Sequence, residues 1–104
     1  MSKGGKAMRL YFPRRSYRVS GFRVSKHAVK QMRSRGVTKS AVRYNLRHKP
    51  LHTTGIKYNR RGRPSYIRYS RNKVALAINP MTNNVNTTWK YHTKLMKRFL
   101  KGKK

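Results

Sequence analysis

The stretch "KVALAINPMTNNVNTTWKYH", residues 73–92, decides how this chain is read. "KVALAIN" is a short apolar run, "PMTNN" a cluster of turn formers, and "VNTTWKYH" a return to alternation with period two. That order predicts two antiparallel strands joined by a turn, with "KVALAIN" in the sheet centre. Working backwards, "SYIRYS" and "LHTTGIKYN" carry the same period and are set off by "RN" and "RRGRP". Everything after Pro50 therefore reads as a four-stranded antiparallel meander.

Before Pro50 the period is helical. Ser25 is a good N-cap for "KHAVKQMRSR", and Gly36 a good stop, so a helix of about ten residues is expected with Ala28, Val29 and Met32 buried. Thr38 caps a second helix, "KSAVRYNLRHK", whose core stripe is Ala41, Val42 and Leu46. "YRVSGFRV", residues 17–24, alternates across a break at Gly21 and reads as one short, kinked or bulged strand. The expected class is α+β, with two short N-terminal helices packed on a four-stranded antiparallel sheet. Residues 1–16 form a basic tail, 17–93 the domain, and 94–104 a basic segment in which "KLMKRFLKGKK" makes a turn or two of amphipathic helix.

Composition narrows the function. The chain has 29 Lys and Arg, no Asp or Glu and a formal charge of +29, which implies a polyanionic partner, nucleic acid by default. Such a chain repels itself, so its folding should improve with salt, RNA or an acidic protein partner. No run approaches the roughly 18 apolar residues of a membrane helix, so no membrane role is expected. The start "MSKGGKAM" lacks the apolar core of a secretory signal.

Without Asp, Glu or Cys, two-metal nucleases, carboxylate glycosidases and zinc-water hydrolases lose their usual ligands, so neither metal nor cofactor is expected. One reaction suits the remaining side chains: cleavage of RNA by its own 2′-hydroxyl, which needs a base, cations for the phosphate and a proton for the leaving oxygen. On the first helix Lys26, Lys30 and Arg33 share one face with His27 at its edge, which reads either as a phosphate cradle with a base or, for His27, as a partly buried histidine at the helix start; Arg35 follows in the last turn. Along the last strand Thr87, Trp89 and Tyr91 point one way, and Thr88, Lys90 and His92 the other. Trp89 suits either stacking on an unpaired base or core packing. Arg60, Arg61 and Arg63 in the "RRGRP" turn read as a solvated or phosphate-binding charge run, with Arg68, Lys90 and His92 as further RNA-binding candidates, whereas His48 and His52 flank Pro50 as ordinary loop residues.

The order of a helix carrying "KHA", a second helix and a sheet ending "NPMTNNVNTTWK" resembles the colicin D-like nuclease domains and, more broadly, the barnase/EndoU/colicin/RelE-like toxin ribonucleases. The resemblance covers about residues 22–92. It implies that His27 matches the family's helix-borne catalytic histidine, Thr87 its strand hydroxyl and Trp89 its strand tryptophan. A basic residue is expected three before the histidine, where Val24 stands, so the phosphate-stabilising cation has to come from Lys26, Lys30 or Arg68. Relatives of this type cut transfer RNA or ribosome-bound messenger RNA in the cytoplasm, some after delivery into a target cell, and are held inactive by an acidic immunity protein or antitoxin. The main alternative is a non-catalytic RNA-binding or ribosome-associated protein in which Trp89, Tyr66 and Tyr69 stack on bases. A DNA-packaging role fits less well, because no recognition helix stands out.

Overall fold

A computed structural model describes residues 12–92 and Lys94. Most of the expected tail at 1–16 and of the C-terminal segment at 94–104 lies outside the described residues. The architecture is α+β, but the expected four-stranded antiparallel sheet with helices at its N-terminal side is wrong. Nine elements follow in order: β1 Tyr17–Val19, β2 Phe22–Val24, α1 Lys26–Arg35, α2 Lys39–Arg47, β3 His52–Thr53, β4 Lys57–Tyr58, β5 Pro64–Tyr69, β6 Val74–Asn79 and β7 Asn84–Lys90. The sheet is mixed and seven-stranded, ordered β1-β2-β7-β6-β5-β3 with β4 also paired to β5, and the helices follow the first two strands.

Two local causes explain the difference. Ser20 (φ 50°) and Gly21 (φ 82°) both adopt positive φ, so the break at Gly21 is a tight hairpin turn and "YRVSGFRV" is two strands. The second of them, β2, adds to β7 in parallel through Arg23–Asn84 and Val24–Val85. Likewise "LHTTGIKYN" breaks at its glycine into β3 and β4, each two residues long, which pair with opposite ends of β5.

The helices begin and end on local chemistry. Ser25 Oγ accepts the Ala28 N–H at 3.1 Å and Thr38 Oγ1 accepts the Ala41 N–H at 3.1 Å, while Gly36 ends α1 in the left-handed region (φ 68°). Both helices cover one face of the sheet. Val24, Ala28, Met32, Val42, Leu76, Ile78 and Val85 are all fully buried between the layers. Each large aliphatic side chain removed from water there contributes about 1.5–3 kcal/mol. Alternation puts Ile67, Tyr69, Ala75, Trp89 and Tyr91 on the other face, where they form a second cluster with Leu51.

A buried amide locks α2 to the sheet. Asn45 is fully buried on the helix, and its Nδ2 reaches Val74 O at 2.8 Å, Arg68 O at 3.1 Å and Ser70 Oγ at 3.2 Å. Asn72 Nδ2 adds a bond to Ala41 O at 3.0 Å. Asn45→Ala is therefore expected to destabilise the fold by about 1–3 kcal/mol in urea unfolding, because the buried bonds that tie the helix to Arg68 O, Ser70 Oγ and Val74 O are lost. A loss below about 0.5 kcal/mol would show that those carbonyls find other partners.

Alkaline pH tests the packing of β1. Burial pushes the Tyr17 phenol up to about 12 from 10.0, with the Arg43 charge acting the other way, and burial also raises Tyr69 and Tyr91. The folded state holds these protons more tightly than the unfolded chain. For Tyr17 this stabilisation is complete below pH 10.0 and lost as pH rises towards about 12, and for Tyr69 and Tyr91 it falls in the same sense above pH 10.0. Tyr17→Phe should flatten the fall in stability over that window; an unchanged pH profile would contradict the buried placement of this hydroxyl.

Candidate functional site

The site is built where β2 stops. Its pairing with β7 ends at Val85, where the Ser25 N–H donates to Val85 O at 3.0 Å and the chain turns into α1. Beyond that point one edge of β7 has no neighbouring strand among the described residues. An open edge exposes unpaired backbone groups. Here α1 covers it with side chains: Gln31 Oε1 accepts the Thr88 N–H at 3.1 Å, and Arg35 Nη1 donates to Thr88 O at 2.9 Å. Gln31 and Arg35, one helical turn apart, take the positions that a strand's carbonyl and amide would fill.

The clamp also fixes His27. Because Thr88 offers an N–H, the Gln31 amide must present its oxygen to the strand, and its Nε2 is left to face the imidazole. That nitrogen donates to His27 Nε2 at 2.9 Å, so His27 Nε2 accepts and its proton sits on Nδ1. The Thr87 hydroxyl donates to the same Gln31 Oε1. His27, on the exposed side of the helix, is thereby joined to Thr87 on the strand through one side chain.

The other residues fall into distinct places. Lys26, Lys30 and Arg33 are exposed on α1, and helical spacing sets their stripe on the side of His27 away from the clamp. Trp89 shares its sheet face with Thr87, two residues along β7, and packs half-buried against Tyr69, Ala75 and Tyr91. Lys90 faces the helices, its Nζ passing 3.4 Å from where a Cβ on Gly36 would sit. A cation there complements the negative end of the helix. His92 is exposed just past β7, with Nδ1 accepting the Lys94 N–H at 3.3 Å.

Arg68 is not a free cation at this site. It donates from Nε to Asn45 O at 2.8 Å and from Nη2 to His48 O at 2.9 Å, sealing the C-terminal end of α2. Lys26 and Lys30 are the remaining candidates for the phosphate. Arg60, Arg61 and Arg63 are exposed in the β4–β5 turn, whose shape is held by Asn59 Oδ1 accepting the N–H groups of Arg61 and Arg63, both at 2.9 Å. Among the described residues no three His, Cys, Asp or Glu side chains gather as a metal site, and no helix is long and apolar enough to cross a membrane.

Gln31 is the residue of the candidate site that the sequence reading does not include. Its signal was modest: His27, Gln31 and Arg35 recur every four residues beside the apolar stripe, a polar row where a helix meets a sheet edge. Comparisons with known proteins add no constraint, since no family model, curated protein or solved structure matches the chain.

The clamp makes a spectroscopic prediction. Imidazole nitrogen NMR should find His27 with its proton on Nδ1, and Gln31→Leu should remove that preference while speeding hydrogen exchange at the Thr88 amide. A proton on Nε2 in the parent protein would contradict the contact.

Proposed function

We propose that the chain is a metal-independent endoribonuclease of the toxin type, cutting RNA through its own 2′-hydroxyl, with transfer RNA the preferred substrate. The observation that carries this reading is the junction of His27 with Thr87 through Gln31 at an exposed helix–strand seam. A 2′-hydroxyl that displaces the Gln31 amide meets the His27 Nε2 lone pair. As the 2′-oxygen bonds to phosphorus, its proton passes to His27. The bond to the 5′-oxygen breaks, and that oxygen takes a proton from the Lys26 ammonium or from water. Lys26 and Lys30 offset the charge gathering on the phosphate, and Thr87 supplies a hydroxyl beside it. The products are a 2′,3′-cyclic phosphate and a 5′-hydroxyl.

β7 also offers a track for a single strand, with Trp89 and Thr87 in succession on one face. The non-catalytic alternative loses one of its three stacking residues, since Tyr69 is 5% exposed, whereas Tyr66 and Trp89 are both half-buried. A charge of +29 with no carboxylate supports an acidic immunity protein or antitoxin as partner, seated over the Lys26–Arg35 face.

The test is single-turnover cleavage of transfer RNA in EDTA. Discrete cuts are expected, slowed at least about a hundredfold by His27→Ala with affinity nearly unchanged. Joint removal of Arg60, Arg61 and Arg63 should lower the slope of log affinity against log salt by about two, at roughly 0.7 per phosphate contact, yet spare cleavage at saturating RNA. Tight binding without cuts would make the chain an RNA-binding protein instead.

A further inference from the structure

Next to Thr87, on the sheet face away from the helices, lies a groove of about 550 Å³ whose polar lining includes Asn59, Arg63, Ser65, Asn79, Asn84 and Asn86. Four carboxamides in one groove is a chemical feature with no role in the packing of the core. Asn59 and Asn79 have their Oδ1 atoms held, by the N–H groups of Arg61 and Arg63 and by that of Met81 at 2.9 Å, while their Nδ2 donors make no hydrogen bond among the described residues. The side-chain amides of Asn84 and Asn86 make no hydrogen bond among the described residues. A shift of register opposite Ala77 and Ile78 leaves Asn86 out of the β6–β7 ladder, exposed between Asn84 and Thr87.

We infer that this groove is a base-recognition subsite that takes an unpaired adenine next to the phosphate held at Thr87. This rests on the proposal that single-stranded RNA lies along β7. A carboxamide sets a donor beside an acceptor, the pattern that matches adenine at N6 with N7 or N1. Guanine offers two adjacent donors on its pairing edge. Their natural partner is a side-chain carboxylate, which this chain does not possess, and guanine's other edge offers two acceptors, which a donor set beside an acceptor matches only in part. Arg63 at the rim supplies a cation for the neighbouring phosphate.

The subsite can be tested without cleavage. Short 2′-O-methyl uridine oligomers, which lack the nucleophile, are made with one central adenine or guanine, and their binding is measured in EDTA. The adenine oligomer is expected to bind about tenfold more tightly than the guanine oligomer. Asn84→Ala with Asn86→Ala should erase that difference while leaving binding of all-uridine oligomer within about twofold. Because Asn86 is exposed and outside the ladder, Asn86→Ala alone gives a second variant that keeps the fold, and it should halve the preference or more. Equal binding of the two oligomers, tighter binding of guanine, or an adenine preference that survives both variants overturns the subsite. None of these outcomes bears on whether His27 cleaves RNA, so the two proposals fail separately.

Discussion

The contact on which the rest depends is the clamp between α1 and the open edge of β7. A strand that has lost its neighbour must satisfy its N–H and C=O groups or expose them to other chains. Gln31 and Arg35 do so from one helix, at Thr88 N and Thr88 O. The helix is therefore held along the strand, and not merely laid over the sheet by its apolar face. His27, one turn before Gln31, is set against the strand by the same row of side chains.

An acid-free chain has few ways to place a cation inside its fold. With no side-chain carboxylate, ion pairing gives way to backbone oxygen and aromatic rings. Arg35 and Arg68 each end on main-chain carbonyls, Lys90 lies over the end of α1, and Lys39 Nζ stands 4.9 Å from the centre of the Tyr17 ring. These four cations serve the structure. The exposed Lys26, Lys30 and Arg33, and the arginines of the β4–β5 turn, face solvent, and their mutual repulsion would be relieved by a polyanion.

The sheet face away from the helices is divided along β7. One end is polar, with Asn84 and Asn86 over the groove; the other is aromatic, with Trp89 and Tyr91 packed against Tyr69, whose ring meets that of Tyr91 edge-on at 5.1 Å. Thr87 stands between them. A strand of nucleic acid laid on this face would meet amides, then a hydroxyl, then an indole, so that under the proposed function base reading and phosphate chemistry would use adjacent stretches of one β-strand.

Local pattern determined much of this in advance. Apolar spacing and capping residues placed α1 from Ser25 to Gly36 and α2 after Thr38, and period two with "PMTNN" placed β6 and β7, because each signal acts within a few residues. The same local reading put Thr87 and Trp89 on one side of β7. It did not reach the β1–β2 hairpin, since Ser-Gly is a weaker turn signal than Asn-Gly, nor the buried Asn45, which breaks the apolar stripe of its helix. The parallel addition of β2 to β7, the clamp at Thr88 and the amide groove were decided by tertiary structure alone. Each joins segments more than forty residues apart or, in the groove, the ends of several strands, and no short-range periodicity records which backbone groups are left without a partner once the chain has packed.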